Sequence, residues 1–312
     1  MNNIKGFTLI ELIIALGLGL LIIAAGFSIF LSGQRSAVVQ SGMGELQQNA
    51  NFGLSILAHD IRHANLNTDS ALKVNNTIEG SGVIFSAKNL PTGMTFDKTF
   101  YTESALNDGA TDTKSDQFTI QYVPHYTKTA NGTKLVDGKS VEQFKYTFNG
   151  VDCEGNQFDF DKSRIIVQRY YLKENTTVAG QLASYSLYCD AGYYVEGDKA
   201  VTGMNANAQP IMEKVDAFKI RLGVKNAAGE MRYMTVKEYT DLTSTNNNIQ
   251  SIEVGVLSRS TLPMGAESLV DNTKTFVVSG SNLTLKKVQK DGPKYLRAAF
   301  SQVVALRNTL EG

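Results

Sequence analysis

Two imidazoles stand four residues apart in His59-Asp60-Ile61-Arg62-His63. On a helix they share one face, a spacing that can grip a zinc ion and superficially resembles the H-E-x-x-H arrangement of zinc hydrolases. Aspartate replaces the glutamate that would act as base, and the one other histidine is His125. The helix that carries the pair is committed to packing on a folded head, so the two read as solvated or interface histidines, and no metalloprotease follows. The densest acidic run, 152–161, offers oxygen ligands for calcium, but it fails the EF-hand template. Gln157 stands at the sixth position, where glycine is demanded, and Ser163 at the twelfth. A solvated turn is expected there. No G-x-S-x-G, phosphate loop or Cys/His nucleophile arrangement is present, and serines without a histidine partner are not evidence of catalysis. The chain reads as a non-enzyme, and neither cofactor nor metal is assigned to it.

The remaining chemically unusual group is Glu11, inside an apolar run covering 7–31. About 25 residues at a rise of 1.5 Å make a helix on the order of 37 Å long, enough to cross a hydrocarbon core of roughly 30 Å with some tilt. A carboxylate in such a span marks function, and its partner should be positive. Only Lys5 is charged ahead of the run, which holds the start cytoplasmic and sends the rest across. The small residue Gly6 precedes the apolar stretch, whereas a secretory signal places its small-residue cleavage site after it. Gly17, Gly19 and Gly26 thin the span, either for close helix approach or simply as glycine-rich membrane helices do.

The heptapeptide Lys5-Gly6-Phe7-Thr8-Leu9-Ile10-Glu11 resembles the class III leader of type IV pilins and pseudopilins. The resemblance implies cleavage between Gly6 and Phe7 by a membrane prepilin peptidase, with N-methylation of the new Phe7 amine. It also implies a subunit-docking role for Glu11, which would pair with the Phe7 amine of a neighbouring subunit, relieve two desolvated charges and fix axial register. In that superfamily the topmost subunit of the secretion pseudopilus typically lacks this glutamate, so its presence implies a position beneath another subunit. The alternative is an uncleaved signal anchor that happens to carry a glutamate.

Beyond 31 the pattern turns one-sided without a break. Val39, Met43, Leu46, Ala50, Leu54, Leu57, Ile61 and Ala64 recur at spacings of three and four, the stripe of an amphipathic helix. Stop signals follow at 65–70. The periodicity predicts one helix over 7–66, near 90 Å long, with Gly33, Gly42 and Gly44 as points where it would bend or loosen. Gln47-Gln48-Asn49-Ala50-Asn51-Phe52-Gly53-Leu54 with His59-Asp60-Ile61-Arg62-His63-Ala64 resembles the helix end of PilW-type minor pilins, from which Asn51, His59 and Asn65 depart.

From 71 onward the dominant period is two. Phe118, Ile120 and Tyr122 alternate with polar residues, as do Phe218, Ile220, Leu222 and Val224, and each set reads as a half-buried strand. Further strands are expected at 164–172, 184–188, 249–258, 275–279 and 295–307, with turns at Asn131-Gly132, Asp137-Gly138, Asn149-Gly150 and Asp291-Gly292. Short helices are expected at 102–107 and 235–242. The segments 115–122, 215–223, 249–260 and 304–308 resemble PilW strands in order, so the likeness covers nearly the whole chain.

The predicted class is therefore α+β and pilin-like, a long N-terminal helix on an antiparallel β head that could form two sheets. Its parts are a leader at 1–6, a transmembrane segment at 7–31, an amphipathic segment at 32–66 and a periplasmic head at 67–312. Cys153 and Cys189 then lie on the oxidising side of the membrane, where a disulfide is expected; two unpaired buried thiols are the alternative. Thirty basic and thirty acidic residues cancel, and no Lys/Arg stripe marks a nucleic-acid partner.

The resemblance implies a minor pilin of a priming or tip complex, supporting twitching motility, adhesion or DNA uptake. Its partners would be other minor pilins, the major pilin, the prepilin peptidase, the inner-membrane assembly platform and a tip adhesin. It would lie in the inner membrane with a periplasmic head, then at the pilus tip. The alternatives are a J-type pseudopilin of type II secretion and a signal-anchored periplasmic enzyme or adhesin.

Overall fold

The computed structural model describes residues 8–68, 73–176, 182–242, 247–265 and 270–306. One helix, α1 (Leu9–Ile61), precedes everything else. The head follows with β1 (Glu103–Asn107), β2 (Ser115–Tyr122), β3 (Tyr126–Val136), β4 (Lys139–Phe148), β5 (Asp159–Phe160), β6 (Ile165–Glu174), β7 (Tyr185–Tyr194) and β8 (Gln209–Glu213). Next come β9 (Val215–Lys225), β10 (Met231–Thr235), α2 (Val236–Thr240), β11 (Asn248–Arg259), β12 (Phe276–Val278), β13 (Ser281–Leu283), α3 (Lys287–Lys290) and β14 (Arg297–Ala305). Every pairing between these strands is antiparallel.

Two sheets carry the head, one ordered β1-β2-β6-β7-β8 and the other β10-β9-β11-β14. Their facing apolar residues, Phe118 and Ile120 from β2, Tyr170 from β6, Phe218 and Ile220 from β9 and Val254 from β11, close into one core. α1 lies against β8, β11 and β14 and adds Leu54, Leu57, Ala58 and Ile61 to that core. Its stripe packs from Gly42 onward, whereas Val39 stays exposed. Gly53 permits the approach to β8, because a Cβ there would collide with the Met212 side chain. The helix runs unbroken through Gly33, Gly42 and Gly44. It stops five residues short of the expected 66, where bonds tighten to i→i−3 and Asn65 and Asn67 take left-handed backbone, with φ of 65° and 52°.

The two sheets are also joined by charge. Lys219 on β9 reaches Asp116 on β2 at 3.0 Å, both side chains buried, and the same carboxylate accepts the N–H of Ile220. In the second sheet Asp216 sits between Arg297 (Nε–Oδ2 2.5 Å) and Arg259 (Nε–Oδ1 3.7 Å).

β2 is buried on both faces rather than half-buried. The irregular segment 73–102 covers its outer side, and its polar residues bond that segment's carbonyls: Gln121 to Ser81 and Asn89, Gln117 to Thr99 and Tyr101. Under this cover lies a second small core of Ile84, Leu90, Met94, Phe96, Val167 and Tyr194.

Two other expectations yield to tertiary pairing. Residues 103–107 form strand β1, because Ala105 takes φ 56° and donates its N–H to Asp116 while Glu103 and Asn107 pair with β2. Asn131-Gly132 is a bulge inside β3; the β3–β4 hairpin turns at Asp137-Gly138, both at positive φ. The helix expected near 235–242 is α2, with Thr235 and Glu238 forming a capping box.

Candidate functional site

α1 has two chemically different halves. From Leu9 to Phe30 its large apolar side chains are exposed around the whole circumference, and no other part of the described chain covers them. From Gly42 to Ile61 it is half sunk into the head. The bare half is long and apolar enough to cross a membrane, and it joins the packed half without interruption. Any force on its first turn is therefore carried directly to the head.

Glu11 lies in that first turn. Thr8 is the N-cap, with extended backbone, and Glu11 is the third helical residue. The Glu11 carboxylate accepts the Thr8 backbone N–H at 3.0 Å and the Thr8 hydroxyl at 2.9 Å, while the Glu11 N–H donates to the Thr8 hydroxyl at 3.3 Å. This capping box satisfies donors that a helix start leaves open and places a negative group at the positive end of the helix dipole. The reading from sequence assigned Glu11 only to a neighbour's amine. The T-x-x-E spacing that would have shown its second partner, Thr8, is plain in Thr8-Leu9-Ile10-Glu11. Gly6 and Phe7, the expected cleavage and methylation residues, lie outside the described residues.

Cys153 and Cys189 are joined by a disulfide, with Cα atoms 6.1 Å apart. It ties the 149–158 loop to β7, where Cys189 is fully buried. The acidic run next to it is a turn beside the disulfide as expected, solvated at Asp159 and Asp161 but anchored at Asp152 and Glu154. Asp152 is buried and accepts the N–H groups of Glu154 and Asn156, and Glu154 accepts the N–H of Ala191 at 3.0 Å. Burial pushes the Glu154 acid up from its ordinary value. Asp159 pairs with Lys145 at 2.8 Å and Asp161 with Arg164 at 3.3 Å, so these carboxylates are spent on protein donors.

Where α1 leaves the bare segment, a groove opens between helix and head, with Leu31, Val38 and Val39 on one side and Phe276, Tyr295 and Leu296 on the other. His59, Asp60 and His63 come together at the far end of the helix. The described residues show no nucleophile-base-acid constellation.

Comparison with known families gives two matches. Residues 1–27 match the prokaryotic N-terminal methylation motif, and residues 169–308 match the type IV pilus-assembly protein W family, PilW. Together the two matches support a type IV pilus minor pilin of the PilW family. A search of curated proteins finds no match. Among solved structures, a type IV-like pilin from Thermus thermophilus is similar at 9% identity, covering 85% of this chain and 97% of its own, with a TM-score of 0.35.

The two matches follow the division of labour in the chain. The methylation motif and the bare apolar helix fit a membrane-anchored pilin. The PilW match starts in β6 and runs beyond β14, so it takes in the second sheet on which α1 lies. Pilins are structural rather than catalytic, and the family implies contact with other pilins and with the pilus machinery.

Proposed function

We propose that this chain is a minor pilin that helps initiate and cap a type IV pilus within a priming complex at the tip, acting by assembly and not by catalysis. The observation that carries the reading is α1 itself, apolar on every side from Leu9 to Leu31 and rigidly continuous with a half packed on the head. Such a surface is stable in a bilayer before assembly and against neighbouring helices after it.

Prepilin peptidase cuts between Gly6 and Phe7 and leaves a methylated Phe7 amine. Glu11, held by Thr8 until docking, then meets the Phe7 amine of the adjacent subunit and sets the register. A head of about 246 residues has a radius of gyration of about 18 Å, bulky to repeat around a filament whose subunits share a helical core, which favours low copy number. Because Glu11 is present, the subunit sits beneath another one. Its partners are other minor pilins, the major pilin and the inner-membrane platform.

Crosslinking in cells, followed by purification of the inner-membrane complex and intact-mass measurement of this chain, tests the proposal. The expected result is co-purifying pilins and a chain that begins at methyl-Phe7. Recovery of the chain alone, beginning at Met1, would overturn it and favour a signal-anchored periplasmic protein.

A further inference from the structure

The end of α1 carries three metal-ligating side chains that assembly does not use. One ligand atom from each of His59, Asp60 and His63 lies within 4.8 Å of the others. His59 Nδ1 is 3.3 Å from Asp60 Oδ1, and the two imidazoles meet edge to face with centroids 4.6 Å apart. Asp60 and His63 are already held from behind, while His59 is exposed. The Tyr170 hydroxyl donates to Asp60 Oδ2 at 2.8 Å and leaves Oδ1 turned toward His59, while the His63 ring stacks on Tyr122 at 5.4 Å. The Tyr170–Asp60 hydrogen bond is of the kind by which outer partners orient ligating carboxylates in metal sites.

The local field also favours a cation. α1 ends at Ile61, so the three groups cluster at the negative end of the helix dipole. The Asp60 side chain is only 13% exposed, so a cation beside it would meet a largely buried carboxylate. His59, by contrast, is 72% exposed, which gives an ion a way in and leaves a coordination position for water.

We propose that His59, Asp60 and His63 bind one divalent transition-metal ion of the zinc type at the C-terminal end of α1. Zinc bonds of about 2.0–2.2 Å to nitrogen and oxygen put neighbouring ligand atoms about 3.4 Å apart in tetrahedral geometry, close to the 3.3 Å between His59 Nδ1 and Asp60 Oδ1. Asp60 acts as a ligand, not as the general base that stands at this position in zinc hydrolases. The ion closes the end of the helix and fixes the turn that leads into the head.

The test uses the full, untagged chain in detergent micelles, stripped with a chelator and titrated calorimetrically with zinc sulfate; cobalt absorption reports geometry. One ion per chain is expected, with the visible bands of tetrahedral cobalt. Tyr170→Phe, which removes the outer partner of Asp60, should weaken binding about tenfold. The double variant His59→Gln/His63→Gln should abolish it with an unchanged circular dichroism spectrum, and His125→Gln should leave it intact. No binding at millimolar zinc, or undiminished binding by the folded double variant, overturns the assignment.

Discussion

The buried charge cluster beneath α1 makes a quantitative demand. Asp216 on β9 is fully buried and faces Arg297 at the start of β14 and Arg259 at the end of β11, so it ties together three strands of the second sheet. Arg297 has other acceptors, Asn272 at 3.0 Å and Gln289 at 3.1 Å. Arg259 has only the face of Tyr295, 4.6 Å from its guanidinium, among its described partners besides Asp216. Asp216→Ala therefore leaves two buried cations without a counter-charge. Removing one partner of a buried pair costs about 3–5 kcal/mol. For a domain of this size each kcal/mol moves Tm by about 2–4 °C, giving an expected drop of about 6–20 °C. Replacing all three residues by apolar ones of similar volume should restore most of it, because an absent ion pair costs far less than half of one. Thermal unfolding of the full chain, followed by circular dichroism, reads both. An Asp216→Ala variant melting within about 2 °C of the native chain would refute the claim that this cluster is desolvated and depends on its one carboxylate.

Three further outcomes follow from the same geometry. Thiol labelling of the denatured, unreduced chain should find neither Cys153 nor Cys189, and loss of the bridge across 36 residues should cost roughly 4 kcal/mol in the chain-entropy model; two labelled thiols would contradict it. Gly53→Leu should push α1 off β8 and cost about 1–3 kcal/mol by overpacking against Met212, and a neutral result would mean that the contact is loose. Desolvation raises the Asp60 acid, so its ionised form weakens the fold above the raised value, and that penalty fades as pH falls toward the ordinary 3.8. In chelator-treated protein, Asp60→Asn should thus raise Tm at pH 7 and have little effect near pH 4; an equal effect at both would count against burial as the cause.

Much of the architecture was legible because periodicity reports burial. Spacings of three and four from Leu46 to Ile61 gave the packed half of α1, and alternation gave β2, β6, β9, β11 and β14 to within a few residues. What alternation could not show is what covers the far face. Gln117, Thr119 and Gln121 look like solvent-facing strand residues, yet they are buried beneath 73–102, a segment whose irregular backbone leaves no periodic trace. The same holds for 103–107, where pairing with β2 overrides local preference, and for Asn131-Gly132, a turn dipeptide used as a bulge. At the site, Glu11 was conspicuous because a charge in an apolar run has few innocent explanations. Its cap with Thr8 needed only a known spacing, whereas the convergence of Asp60, Tyr170 and Tyr122 around two histidines joins residues about 110 positions apart in sequence, and only the fold reveals it.

The central claim, that Glu11 is a docking group and not merely a helix cap, is tested by comparing two variants for pilus number and for recovery of the chain with its pilin partners. Thr8→Ala removes the hydroxyl of the capping box and keeps the carboxylate; Glu11→Ala removes the carboxylate. Both should be exported, processed and folded, since the head is untouched. The account predicts near-normal piliation for Thr8→Ala, and for Glu11→Ala a loss of about a hundredfold or more in assembled complex, the scale on which one partner of a desolvated charge pair is missed, with processed protein accumulating in the membrane. Normal pilus number and normal partner recovery in Glu11→Ala cells, or equal defects in the two variants, would contradict it.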